Sequence, residues 1–433
     1  MKNVMTEYKK YAQELLEFIW ESPTSFHAVA NLGKAFEEKG FQRLEERAEW
    51  VLEPGKGYYV TRNDSALIGF RIPREGEPAG FHIAASHGDS PAFKIKESPE
   101  MTAENAYRKL NTEKYGGMIL STWLDRPLSV AGRVVVKGEG GTETRLVNVQ
   151  EDLCVIPNLA IHMNRDQGKD ADLNPQTDML PLYGEWEEGA EKDRLMARVA
   201  REAGVEPGDI LGHDLFLYVR ERGRILGEEE NFVHSSRLDD LQCAYASARA
   251  FLESEPEQYV TVCAVFDNEE VGSGTKQGAD STFLEDTLWR IGESLGRNSS
   301  GFLRMIAESF LISADNAHAV HPNRPEKADP TNRPLLNRGI VIKFHGSQKY
   351  ATDAVSAARI RLLCQEAGVP CQTYANRSDI AGGSTLGNIS TAHVSVSSAD
   401  IGLPQLAMHS AVETAGVKDT KYAVDMFRVF FAK

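Results

Sequence analysis

The stretch Tyr259–Ser273, YVTVCAVFDNEEVGS, decides how this chain is read. Its first half is a Val-rich apolar run without polar alternation, the pattern of a strand buried on both faces in a parallel sheet. The run stops abruptly at Asp267, Glu269 and Glu270. Ligands of open α/β sheets bind beyond the carboxyl ends of the strands, so acids placed there have chemistry available to them. Adjacent carboxylates repel unless a cation or a shared proton separates them. A solvated acidic turn is the plainer reading of the same residues.

Upstream, Gly80–Ser86 (GFHIAAS) repeats the buried-strand pattern and runs into His87, Gly88 and Asp89. Two helices are expected before it, over 5–19 and 25–39, with strands at 57–61 and 66–72. Downstream, helical and strand patterns alternate: helices over 238–252, 281–295, 351–367 and 418–430, strands over 310–314, 339–344, 371–375 and 393–398. That alternation is the signature of a parallel α/β sheet. Between them, 91–233 has short β runs and Gly-rich or acidic turns such as KGEGGTET, with one helix expected over 191–203. The fold class expected is therefore α/β: a catalytic domain of 1–90 and 234–433 with a mixed, mostly parallel sheet flanked by helices. An inserted β-rich domain, 91–233, interrupts it, and an insertion at a strand end is tolerated where its own ends lie close together.

Composition narrows the function classes. The 433 residues carry a net charge of −15, which disfavours nucleic acid and anionic membranes as partners. No apolar run approaches the roughly 20 residues of a membrane span. The five cysteines are scattered without a CxxC pair, as in reduced thiols, and the first 20 residues read as an amphipathic helix and not a secretory signal, so a cytoplasmic location is expected.

Candidate metal ligands recur at strand ends and helix starts: His87 with Asp89, Asp239 with Asp240, Glu269 with Glu270, Asp315 with His318 and His321, and His409. Mixed imidazole and carboxylate donors suit Zn, Co or Mn better than Mg. A single HxD is common in proteins and carries little alone.

The ordered set HGDSP, SSRLDDL, DNEEVGS, SADNAHAVHPN, VIKF, QKYAT and PQLAMHS resembles the aspartyl aminopeptidase family, dodecameric dinuclear zinc metallopeptidases. The resemblance implies that His87 and Asp315 bind one metal, Glu270 and His409 a second, and Asp239 both. It implies Glu269 as general base and Asp89 as the carboxylate orienting His87. His162, in PNLAIHMNR, resembles a histidine that reaches a neighbouring subunit's site, and His318, Lys343 and Tyr350 match substrate-contacting positions. The partners implied are peptides with a free N-terminus, with Asp or Glu preferred in first place, and other copies of this chain. Three alternatives stay open: a related aminopeptidase preferring neutral residues, a dinuclear amidase or deacylase, and a non-catalytic scaffold that retains the fold. Ser236 and Asp240 depart from the Pro and Asn expected of the family; Asp240 could tighten metal binding or cap the following helix. Asp267 has no assigned role. The glycine segment 381–390 could present backbone N–H groups to an oxyanion or only permit close packing.

Overall fold

The computed structural model describes residues 2–163, 173–189 and 192–433, and the described residues form two compact units. The first comprises Met1–Asp89, Gly223–Met408 and Glu413–Lys433; the second comprises Ser90–Arg222 and His409–Val412. Relative to the expected insert of 91–233, the strands Arg224–Leu226 and Phe232–Ser235 belong to the first unit. The reason is pairing: Phe232–Ser235 lies antiparallel to Glu413–Gly416, so the chain has already rejoined the first unit's hydrogen-bond network before residue 233.

The first unit is built on a nine-stranded sheet. In chain order its strands are β1 (Gln42–Leu44), β2 (Gly57–Arg62), β3 (Ala66–Arg71), β4 (Phe81–His87), β5 (Val260–Phe266), β6 (Phe310–Ala314), β7 (Ile340–Phe344), β8 (Cys371–Ala375) and β9 (Ser397–Gly402). Across the sheet they run β1-β2-β3-β5-β4-β6-β9-β7-β8. The central four, β5, β4, β6 and β9, are mutually parallel. Antiparallel pairs β2–β3, β3–β5 and β7–β9 make the sheet mixed.

The run in β5 is apolar but for the buried Thr261 because both its faces are covered. Val260, Val262, Ala264 and Phe266 join one core with Phe283, Leu288 and Ile291 of the helix Phe283–Ser294 and Phe302 and Met305 of the helix Ser299–Glu308. Cys263 and Val265 face the opposite core, with Phe36, Phe251, Ile360, Phe427 and Phe431 contributed by four further helices. Full burial of each Val, Leu or Phe contributes roughly 1.5–3 kcal/mol. Tyr259, just before β5, stacks on His82 of β4 at 3.8 Å between ring centroids, and Phe430 stacks at 4.5 Å. Burial, reinforced by Arg359, pushes the His82 imidazole down to about 3, so it is neutral and can donate from Nδ1 to the Phe430 carbonyl (2.9 Å).

Two differences from the sequence reading bear on the central strands. The helix Ser299–Glu308 was not expected; Asn298 caps it by accepting the Gly301 N–H (2.8 Å). The strand expected over 393–398 is displaced to Ser397–Gly402, because the helix Leu386–His393 occupies the preceding residues and β9 registers Phe310 against Ser397. A smaller five-stranded sheet, including Glu413–Gly416, Pro404–Leu406 and Ala317–His318, completes this unit.

The second unit is a six-stranded antiparallel sheet of Gly141–Asn148, Leu128–Gly138, Ile210–Val219, Ala92–Ala103, Tyr107–Tyr115 and Leu182–Glu185, in that spatial order. The helix Arg194–Ala203 packs Leu195 and Val199 into its core, with Phe93, Val134 and Leu215; Glu191, the expected helix start, lies outside the described residues. No helix among the described residues is long and apolar enough to cross a membrane.

Candidate active site

β4 has β5 on one side and β6 on the other, although both follow it in the chain, so the strand order reverses here. That is the point at which a parallel sheet opens a crevice. His87 ends β4, Asp267 follows β5 and Asp315 follows β6, all at the carboxyl ends.

Beyond Asp267 the chain turns through Asn268, held in the left-handed region (φ 61°), into a single 3-10 turn of Glu269–Val271. Asn tolerates that conformation better than most residues, and its side-chain oxygen accepts from Thr275 and Gln277, both at 2.8 Å. The turn points the N–H groups of Glu269 and Glu270 at the two oxygens of Asp89, each at 3.1 Å. Asp89 also lies 3.3 Å from His87 Nδ1, so one buried carboxylate fixes both the imidazole and the Glu-Glu turn.

His87 Nε2 faces Asp239 Oδ1 at 3.5 Å. Ligand atoms of His87, Asp239 and Glu270 all lie within 4.8 Å of one another, and so do those of Asp239, Asp240 and Asp315. Asp239 is common to both groups. An imidazole and carboxylates clustered this closely form a donor set that fits zinc. Glu269 stands outside both groups and is half-buried.

Asp240 joins two strand ends. Its carboxylate accepts the N–H of His87 (3.3 Å) and of Asn316 (3.2 Å), tying the ends of β4 and β6 together. Glu413, absent from the sequence reading, accepts the Asp239 N–H at 3.0 Å and the Gln405 amide at 3.3 Å. Asn316 donates to the Leu238 carbonyl, Gln242 and Gln405 at 2.7–3.1 Å. Asp240, Asn316 and Gln405 lie within the motifs SSRLDDL, SADNAHAVHPN and PQLAMHS, whereas the buried Gln242 and Glu413 stand outside them.

The acids are crowded and dry. Burial pushes Glu269 up to about 8, opposed by His87 and reinforced by Asp315, Glu270 and Asp89. Burial raises Asp315 and carries Asp240 well above the usual carboxylate range. Asp267 rises to about 7 through burial and then Asp89, with Ser65 among the groups holding it down; it sits behind the turn as a buried support. His87 is raised well above its usual value because Asp239 and Asp89 outweigh its burial.

Lys343, on β7, is buried with Nζ 3.7 Å from Asp315 Oδ1 and 5.5 Å from the Tyr350 ring centroid. Burial opposes its charge, but Asp315, Tyr350 and Asp400 prevail and raise the ammonium above its ordinary value. Tyr350 packs beside Tyr374 (6.4 Å), which in turn meets His318 (6.1 Å), so these three rings and Lys343 share one wall of the first unit. His321 is exposed and accepts the Asn323 N–H within its own loop. In the glycine segment, a Cβ on Gly387 would meet the Asp400 carboxylate at 2.4 Å and one on Gly382 would meet Asn376 at 2.0 Å. Close packing therefore accounts for both glycines.

His162 and His409 belong to the second unit. His162 is exposed in the short turn Ile161–Met163 between two exposed apolar side chains. His409 has a left-handed backbone (φ 65°), and its carbonyl accepts the Ile119 N–H at 3.0 Å. The first unit thus assembles His87, Asp239, Glu270 and Asp315 of the expected ligands.

Comparison with known proteins agrees with this chemistry. The family model described as "Aminopeptidase I zinc metalloprotease (M18)" matches residues 18–431. "Probable M18 family aminopeptidase 2" of Clostridium novyi (strain NT) is 50% identical over 426 residues, covering 98% of each chain. Among solved structures, the cryo-EM structure of the Ape4 and Nbr1 complex superposes with a TM-score of 0.96 at 38% identity, over 99% of this chain and 86% of that one. The S. cerevisiae mApe1 dodecamer superposes with a TM-score of 0.85 at 27% identity, over 98% of this chain and 97% of that one. The chain belongs to the M18 family of zinc metallo-aminopeptidases, hydrolases acting on peptide bonds.

Proposed function

We propose that this aminopeptidase removes Asp or Glu from peptide N-termini, using two divalent cations, zinc first among them with Co or Mn as substitutes, and Glu269 as general base. The observation that carries the reading is that Asp239 is shared by two clustered donor groups, one holding His87 and Glu270, the other Asp315. By resemblance, His87 and Asp315 hold one cation, Glu270 and His409 the other, and Asp239 serves both. Bound cations there would polarise the scissile carbonyl and lower the pKa of a water.

The chain's own residues do the rest. Glu269, outside both donor groups, takes the proton of the attacking water and returns it to the leaving amine. Glu270, its neighbour, points differently and ligates. Asp89 holds the His87 ring in one orientation and keeps the Glu269–Glu270 turn fixed through its two N–H acceptor bonds. Asp240 and Glu413 act through Asp239 and the strand ends as positioning residues. A carboxylate of the cluster accepts the substrate's α-ammonium, which limits cleavage to the first residue. Lys343 receives the acidic side chain, with Tyr350 and His318 lining the same wall. The support for that role is chemical: once Asp315 is committed to a cation, a buried ammonium needs another anion.

Glu269→Gln should lower kcat by about 10²–10⁴-fold with circular dichroism and metal content unchanged; retention of full activity would remove Glu269 from the proton transfer. The substrate preference is tested by turnover of Asp-, Glu-, Leu- and Ala-nitroanilides. Loss of a hydrogen bond to a charged group costs about 1.5–3 kcal/mol, so Lys343→Met should reduce kcat/KM for the acidic pair by about 10–150-fold, with little change for Leu and Ala. A wild-type preference for Leu would end the acidic assignment.

The chain is further proposed to assemble into a closed homo-oligomer, a dodecamer, as its mApe1 relative does. His162, exposed at its turn, then reaches a neighbour's site. Sedimentation with parallel assays should find monomers nearly inactive; a fully active monomer would rule the role of His162 out.

A further inference from the structure

Three strands of the small sheet bring buried polar side chains together behind the shared aspartate. Ala317–His318 runs parallel to Pro404–Leu406, which pairs antiparallel with Glu413–Gly416. Asn316, just before the first of these strands, places Nδ2 2.7 Å from Gln405 Oε1, and Gln405 Nε2 lies 3.3 Å from Glu413 Oε1. Glu413 Oε2 then accepts the Asp239 N–H at 3.0 Å. All three side chains are buried. The groups at the two ends fix the direction of these bonds. The Leu238 carbonyl, 3.0 Å from Asn316 Nδ2, can only accept, so Asn316 presents its NH2 on this side and takes the Cys243 thiol on Oδ1 (3.2 Å). A carboxylate at Glu413 also can only accept, so Gln405 turns its NH2 to Glu413 and its oxygen to Asn316. The Leu238 carbonyl and the Asp239 N–H belong to one peptide group. Asn316 donates to one pole of it, Glu413 accepts from the other, and Gln405 joins the two. Gln242 is a side branch, accepting from Asn316 at 3.1 Å and donating to Thr420 at 3.0 Å.

We propose that Asn316 and Gln405 are positioning residues for the hydrolysis: a one-way amide relay, from Asn316 through Gln405 to Glu413, holds the peptide group before Asp239 at both poles and so sets where the shared ligand stands relative to Asp315. The proposal rests on the reading of Asp239 as ligand to both cations. A peptide group is planar, so bonds at its carbonyl and its N–H together fix the orientation of that plane and of the residue that follows. Asn316 is also the residue next to Asp315, and its own N–H goes to Asp240 (3.2 Å), so the relay starts from one cation ligand and ends on another. Within a buried network every donor needs an acceptor, and a single inverted group leaves its neighbours facing like atoms. Gln405 is the link where that inversion does most harm. The Asn316 NH2 has two hydrogens for the oxygens of Leu238, Gln242 and Gln405, so removal of the Gln242 branch leaves both hydrogens placed. Gln405 has no such spare partner between Asn316 and Glu413.

The test uses the full-length protein refilled with zinc, its affinity read by competition with a chelator and its ion content by elemental analysis. Gln405→Glu keeps the shape but sets acceptor against acceptor at Glu413, and Glu413→Gln sets donor against donor at Gln405. Each should weaken zinc binding by about 10–100-fold. The double variant Gln405→Glu/Glu413→Gln gives every donor an acceptor again with the net charge unchanged, so it should recover most of that loss, a coupling that packing alone would not produce. Gln242→Met, which cuts only the branch, should lower the melting temperature without moving zinc affinity. Wild-type affinity in both single variants, a double variant no tighter than the singles, or an equal loss in Gln242→Met would overturn the proposal. Where a single variant does not fold, the double variant carries the test: a folded protein of near wild-type zinc affinity supports the relay, and failure to fold overturns it. Ion content separates the relay from the reading beneath it. A wild type with one ion per subunit ends the two-cation reading and the relay with it, whereas failed rescue with two ions bound ends the relay alone.

Discussion

The constraint on which the structure depends is one of charge. Asp89, Asp239, Asp240, Glu269, Glu270 and Asp315 converge on His87 at the ends of adjacent strands, several of them with almost no solvent exposure. Several carboxylates cannot share a dry volume in ionised form without compensation, because desolvation and mutual repulsion both raise the energy of the charged state. Beside these acids stand the imidazole of His87 and the ammonium of Lys343, fewer positive groups than carboxylates. A cluster arranged in this way is costly unless positive charge completes it, and the chain belongs to a family of zinc metalloproteases.

The fold meets the constraint through backbone hydrogen bonds. Asp89 ties the Glu-Glu turn to β4, Asp240 ties β4 to the segment after β6, and Glu413 holds the residue between them that both donor groups share. Each uses a carboxylate as an acceptor for N–H groups, so part of the negative charge is already satisfied by the chain. Asp239 in turn lies with His87 and Glu270, and with Asp240 and Asp315, in groups whose ligand atoms are within 4.8 Å of one another. Geometry of this precision depends on rigid elements, and β4, β5 and β6 are covered by helices on both faces.

The parts of the design legible in the sequence are those with a local pattern. The run in β5 is apolar on both of its alternating faces, which is visible as an uninterrupted Val-rich stretch, and the acids after it stand out by contrast. Ligand candidates at other strand ends could be chosen on the same principle. Glu413 could not, since it reaches Asp239 from 174 residues away with no motif around it. β9 was misplaced because HVSVSS alternates like a strand, whereas the true strand, SADIG with its preceding Ser, carries a buried acid in its middle. Asp400 is tolerated there because it accepts from Ala351 (2.6 Å) and Thr385 (2.5 Å), contacts that exist only in the folded chain. The return of Phe232–Ser235 to the first unit was hidden for the same reason: its partner strand lies near the C-terminus.

The central claim is that one shared aspartate organises two cation sites among mutually destabilising acids. The most direct measurement is metal stoichiometry by elemental analysis of the purified chain, compared with Asp239→Ala and Asp315→Ala. The account predicts two divalent ions per subunit in the wild type, loss of both in Asp239→Ala, and retention of one in Asp315→Ala. One ion per subunit in the wild type, or two retained without Asp239, would contradict it.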